Sequence, residues 1–151
     1  MTVTIAFTWD DDADTGLGLP VYQTVGAAGA DLRANLPNRG KMTLAPMARA
    51  IVPTGLRLAI PDGYEVQVRP RSGLAFKHGV TLVNTPGTID SDYRGPLGIL
   101  MINLGAEPFV VTHGMRVAQM VVAPVVQTKF KVVTSLEDTD RAAGGFGSTG
   151  L

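Results

Sequence analysis

The sequence predicts an all-β protein, a sandwich or barrel of many short strands, and three observations point that way. Tyr64-Glu65-Val66-Gln67-Val68-Arg69 alternates apolar and polar residues as a half-buried strand does. Turn signals stand between the apolar runs, at Pro61-Asp62-Gly63, Gly105-Ala106-Glu107-Pro108 and His113-Gly114. A single short stretch reads as helix. Short strands at this spacing suit an antiparallel sheet that is doubled or closed.

Taken in order, Val3-Thr4-Ile5-Ala6-Phe7 opens the chain as a strand. Asp10-Asp11-Asp12-Ala13-Asp14-Thr15-Gly16 is acidic and turn-like, a solvated loop, with a metal cluster as the alternative. After the strand at Tyr64–Arg69, Ser72 is placed to cap a helix of which Gly73 to His78 form the turns and Gly79 the close. The runs at Leu97–Ile102 and Met120–Val126 are almost continuously apolar, consistent with cover on both faces. Beyond Leu136 the chain is polar and glycine-rich, so a folded domain over residues 1–136 and a flexible tail over 137–151 are expected. That tail carries Arg141 and Phe146, and a phenylalanine among glycines has no core of its own to join.

Composition narrows the function. At 151 residues the chain suits one domain, and 45% hydrophobic with 17% charged residues places it among globular proteins. Thirteen basic residues balance thirteen acidic ones, so a polyanion must be met by a local arginine cluster and not by an overall field. The absence of cysteine excludes disulfides and thiolate-bound zinc, including that of the nucleobase deaminases. With no apolar run of membrane-spanning length and no leader-like N-terminus, a soluble cytoplasmic protein is expected.

Familiar chemical motifs are missing. Arg39-Gly40-Lys41-Met42 is no Walker loop, Gly16-Leu17-Gly18 does not continue into a dinucleotide fingerprint, and no serine sits in a nucleophile elbow. His78 and His113 read as surface or turn residues. Four segments remain. In Asn84-Thr85-Pro86-Gly87-Thr88-Ile89-Asp90-Ser91-Asp92-Tyr93-Arg94-Gly95, an extended Thr88–Tyr93 would put Asp90 and Asp92 on one face and Tyr93 on the other. The resulting hairpin would frame a small pocket with a carboxylate and a ring at its rim; taken alone, these are ordinary turn and core residues. Pro70-Arg71-Ser72-Gly73 offers a guanidinium, a hydroxyl and exposed N–H groups at a helix start, which suits a phosphate, though a plain cap reads equally well. Gly144-Gly145-Phe146-Gly147-Ser148-Thr149-Gly150 combines close backbone approach, two hydroxyl donors and a flat ring for a base, with a disordered tail as the alternative. Ala27-Ala28-Gly29-Ala30-Asp31-Leu32-Arg33 sets one acid among small residues.

Together these segments resemble the five motifs of the trimeric dUTP pyrophosphatases (dUTPases), in the family's order. Ala28–Leu32 resembles the first, Pro70–Leu74 the second, Asn84–Gly95 the third, Arg116-Val117-Ala118-Gln119 the fourth and Arg141–Gly150 the fifth. Ala142 stands where a glycine is common, and Thr88 replaces a frequent aliphatic residue. The resemblance implies a jelly-roll β-barrel with one short helix and a glycine-rich tail, assembled as a homotrimer with shared active sites. The implied reaction is dUTP + H2O → dUMP + pyrophosphate, with Mg2+ on the triphosphate, which keeps uracil out of DNA and supplies dUMP for thymidylate synthesis.

Roles follow from the same resemblance. Asp90 would be the general base, Asp31 and Gln119 would hold waters of the hydrated Mg2+, and Arg71, Ser72 and Gly73 would grip phosphates. Asn84, Gly87, Thr88, Ile89 and Gly98 would frame the uracil, and Tyr93 would lie against the deoxyribose. Arg141, Gly147, Ser148 and Thr149 would close over the substrate with Phe146 stacked on the base. Arg116 would be a structural ion-pair partner. Two rivals stand beside this reading. A dCTP deaminase would need a glutamate where Leu100 stands, and a non-catalytic module would have no use for Asp90, Arg71 and Ser72 together.

Overall fold

The computed structural model describes residues 2–145, and among these the chain forms twelve strands and one α-helix. Five strands make the largest sheet, in the order β2 (Val21–Tyr22), β3 (Ala30–Arg33), β12 (Arg116–Pro124), β7 (Tyr64–Arg69) and β9 (Gly87–Ile89). A second sheet joins β5 (Arg49–Pro53), β10 (Gly98–Asn103) and β8 (Val80–Leu82). Two pairs complete the fold, β1 (Ala6–Trp9) with β6 (Leu56–Ala59), and β4 (Lys41–Leu44) with β11 (Phe109–Thr112). The strand pairs are antiparallel.

Period-two patterning builds the core. Val66 and Val68 of β7, Leu32 of β3, Ile99 and Met101 of β10 and Val111 of β11 all turn inward and are buried. Each such aliphatic side chain contributes about 1.5–3 kcal/mol. Asn103 is the fully buried polar exception. Its Nδ2 donates to the carbonyls of Leu44 (2.9 Å) and Glu107 (2.8 Å), while its Oδ1 accepts from the Gly105 N–H (2.9 Å). Thus one satisfied amide ties the end of β10 to β4 and to the following turn.

Several local expectations are corrected. The first strand lies at Ala6–Trp9 instead of Val3–Phe7, because Leu56–Ala59 is the partner it must match. Helix α1 spans Ser72–His78, so Arg71, not Ser72, holds the N-cap position, in an extended conformation (φ −99°, ψ 128°). Arg71 is drawn there by long-range bonds of its guanidinium, described below. Gly79 closes the helix as expected, with φ 66°. The apolar runs of β10 and β12 are covered on one face only: Leu100, Ile102 and Val121 stay half-buried, and Ile51, opposite Leu100, is 66% exposed.

The acidic loop is pinned, not merely solvated. Asp14 caps a 3-10 turn at Thr15–Leu17 by accepting from the Gly16 N–H (3.0 Å), and it pairs with Arg39 (3.0 Å) and His113 (3.1 Å). Asp10 pairs with Arg57 at 2.7 Å. Among the described residues no group of three His, Asp or Glu side chains converges as a metal would require. At the other end, the last strand among the described residues ends at Pro124, and Phe130, Val132 and Leu136 are exposed.

Candidate functional site

A single cross-strand row organises the first group of site residues. Asp31 of β3 stands opposite Gln119 of β12, and Gln119 stands opposite Arg69 of β7. Side chains in such a row share a face. The Asp31 side chain is 11% exposed and is gripped on both carboxylate oxygens, Oδ1 by Arg71 Nε (3.2 Å) and Oδ2 by Arg116 Nη1 (3.0 Å). Arg71 Nη1 also donates to the Arg116 carbonyl at 2.9 Å. One carboxylate and two guanidiniums leave this patch with a net positive charge. The expected pairing role of Arg116 is what the structure has.

Gln119 is fixed from the other side, its Nε2 donating to the Pro70 carbonyl at 3.0 Å. The small residues before Asp31 now have a reason: a Cβ on Gly29 would collide with the Gln119 amide. Ser72 and Gly73 lie exposed at the start of α1, and a Cβ on Gly73 would meet only open space. Three motifs far apart in sequence therefore meet at one patch. Beside it, Gln67, Arg69, Pro70, Thr85, Pro86 and Gln119 line a shallow depression.

The second group sits on the edge strand β9 and the turn that follows. Gly87 is buried opposite Val68, and a Cβ there would press within 2.9 Å of the Asn84 amide, so glycine lets Asn84 close over the turn. Thr88 is exposed opposite Gln67, and Ile89 is half-buried opposite Val66. The expectation of an extended Thr88–Tyr93 does not hold. The strand ends at Ile89, and the Tyr93 N–H donates to the Asp90 carbonyl (3.2 Å), closing a turn. Arg94 enforces the turn by donating to the carbonyls of Ser91 (2.6 Å) and Tyr93 (2.8 Å). Asp90 and Asp92 therefore do not continue a strand alternation. Asp90 is exposed; Tyr93 folds over Gly95, which has no Cβ to obstruct the ring, and its hydroxyl donates to the Pro96 carbonyl at 3.0 Å. Gly98 opens β10, where a Cβ would meet Ile51 at 2.6 Å.

These two groups are far apart within one chain. Asp31 and Asp90 are separated by three strand spacings, about 14 Å, and by about four residues along the strands, about 13 Å. The sheet geometry thus puts them roughly 20 Å apart, too far to act on one small substrate. Of the third group the described residues show Arg141, whose Nε donates to the Gly144 carbonyl at 3.0 Å, and Ala142 at φ 43°, where glycine is at ease. Phe146, Gly147, Ser148 and Thr149 lie outside the described residues.

Some residues near the site carry no sequence signal. Arg57 donates to Asp10 (2.7 Å) and to the Arg94 carbonyl (3.3 Å), and neither contact is readable locally. Away from the site, the Gly16 N–H, then His113 and Arg39, hold the Asp14 carboxyl below the usual carboxylate range.

Two guanidiniums around one carboxylate beside a helix start give this antiparallel β fold a surface suited to an anionic ligand. The dUTPase family profile matches residues 17–150. A deoxyuridine 5'-triphosphate nucleotidohydrolase of Roseobacter denitrificans is 67% identical over 148 residues, covering 98% of this chain and 97% of its own. A protein of the same name from Dinoroseobacter shibae is 63% identical over 141 residues, 91% of each chain. The crystal structure of dUTPase from Streptococcus mutans superposes with a TM-score of 0.73 at 28% identity, covering 82% of this chain and 98% of that one. The Staphylococcus bacteriophage 80alpha dUTPase with dUPNHPP superposes at a TM-score of 0.85 and 24% identity, covering 99% and 100%. The chain belongs to the dUTPase family, and its fold is the jelly-roll of that family.

Proposed function

We propose that the chain hydrolyses dUTP to dUMP and pyrophosphate by attack of water on the α-phosphorus, as a Mg2+-dependent homotrimer in which chains share each active site. The observation that carries the reading is 67% identity to a named deoxyuridine 5'-triphosphate nucleotidohydrolase across nearly the whole chain. Asp90, exposed at the mouth of its turn, accepts a proton from the attacking water and orients it. Arg71, Ser72 and the N–H groups at the start of α1 bind the phosphates and offset charge on the departing pyrophosphate.

The Asp31 patch suits a hydrated ion carried by the substrate better than a bare one. Two guanidiniums beside one carboxylate repel a free cation but attract a triphosphate. Asp31 and Gln119 would hold the waters of Mg2+, which when bound neutralises phosphate charge. Asn84 and the β9 backbone read the uracil edge, and a hairpin this tight would exclude a 5-methyl group. Tyr93 packs on the deoxyribose and excludes a 2'-hydroxyl. Gly98 completes the base pocket.

The separation of Asp31 from Asp90 supports a site assembled between chains. In that assembly one chain supplies the arginine patch, a second the Asp90 turn, and a third the tail bearing Arg141, Phe146, Gly147, Ser148 and Thr149. The half-covered faces of β10 and β12 and the exposed Ile51 support burial against further copies. Residues 137–151 then act as a closing tail on a domain formed by residues 1–136, and the cytoplasm is the expected compartment. Among the described residues no helix is long and apolar enough to cross a membrane. Pyrophosphate release from dUTP, measured beside dTTP, dCTP and UTP, tests the activity: release from dUTP alone is expected. Tight dUTP binding without release would indicate a non-catalytic module, and ammonia from dCTP would indicate a deaminase.

A further inference from the structure

We propose that Arg57, oriented by Asp10, is a positioning residue that holds the Asp90–Gly95 turn in its working shape. The inference rests on the reading of that turn as the carrier of the base and the sugar-facing ring. The turn projects from the short edge strand β9 and has little of its own to lean on. Its backbone is closed from inside by Arg94, which bonds the Ser91 and Tyr93 carbonyls. From outside, Arg57 Nη1 reaches the Arg94 carbonyl at 3.3 Å, the next peptide along. The Arg57 side chain is 44% exposed and would sample many rotamers unaided. Asp10 removes that freedom by taking the Nε of the same guanidinium at 2.7 Å.

Asp10 is itself immobilised, because its backbone N–H donates to the Gly55 carbonyl at 2.9 Å at the end of the β1–β6 pair. A continuous path therefore runs from the β1–β6 pair through Asp10 and Arg57 to the Arg94–Gly95 peptide. The guanidinium suits this because its fork can serve a carboxylate and a carbonyl at once, which an ammonium at the same place could not do with equal geometry. The consequence is for sugar selection. If the Arg94 peptide shifts, the Tyr93 ring shifts with it, and space for a 2'-hydroxyl opens. This also gives the first residue of the acidic loop a function.

The experiment compares wild type with Arg57→Ala, Arg57→Lys, Asp10→Asn and Asp90→Asn, measuring kcat and KM for dUTP and UTP together with thermal midpoints. Arg57→Ala is expected to lower kcat for dUTP by about tenfold, as a displaced catalytic group does, and to narrow the dUTP/UTP ratio of kcat/KM. Asp10→Asn should move both quantities in the same direction and less far, and Arg57→Lys should restore them in part. A merely structural role would lower the thermal midpoint and leave the dUTP/UTP ratio unchanged, and that result would overturn the proposal. If Asp90→Asn is inactive while Arg57→Ala keeps the wild-type kcat and ratio, the positioning role fails alone. If Asp90→Asn keeps turning over, the assignment of the base fails with it.

Discussion

Asp90 is exposed and follows directly on the edge strand β9, where a water and a substrate phosphate can both reach its carboxylate. Replacing it by Asn removes the proposed proton acceptor and keeps the shape. Asp90→Asn is therefore expected to lower kcat by about 10²–10⁴-fold while dUTP binding, read by calorimetry, stays near wild type. Asp14 makes a separate prediction. Its carboxyl is depressed in the folded chain, so it binds fewer protons there than when unfolded. The stability it adds is present above the ordinary carboxylate value, about 4, and is lost as pH falls through the lower folded value. The gap in thermal midpoint between wild type and Asp14→Asn should be open at pH 6 and should close in acid. Single residues were legible in the sequence where their chemistry is local, as with Gly79, which closes α1. Asp10–Arg57 and Asp31–Arg116 were not open to local reading, being 47 and 85 residues apart.

At the scale of elements, period-two patterning located Tyr64–Arg69 to the residue, since one face of β7 meets the core and the other does not. Where both faces of a run are apolar, as in β10, pattern alone could not say which face the chain buries. The start of α1 was misplaced by one residue because Ser72 has the chemistry of a cap, whereas the grip of Asp31 and Arg116 on Arg71 decides where the chain bends. Alternation in Thr88–Tyr93 predicts an extended strand, because nothing in that run announces the Arg94 bonds that close the turn. The tail belongs to this scale too. Among the described residues, those after Pro124 form no strand and contribute nothing to the core. Deleting residues 138–151 should leave the thermal midpoint within a few degrees of wild type and lower kcat/KM for dUTP by at least about a hundredfold. Loss of the folded body on deletion would make the tail a structural part.

For the whole molecule, the decisive feature is distance. One chain carries every group proposed for the reaction, yet its sheet holds Asp31 and Asp90 roughly 20 Å apart. Sequence motifs alone conceal this, since they list residues without saying which strand separates them. Sedimentation should find three chains per particle, joined through faces that a single chain leaves half-covered. The most direct test is complementation. Asp90→Asn chains keep the arginine patch and Arg71→Ala chains keep the base, so each variant alone should be inactive. After unfolding, mixing one to one and refolding, about a quarter of sites should combine an intact patch with an intact turn, as random assembly requires. Recovery of dUTP hydrolysis toward that fraction is the predicted result. Mixed trimers that form and remain inactive would contradict an active site shared between chains.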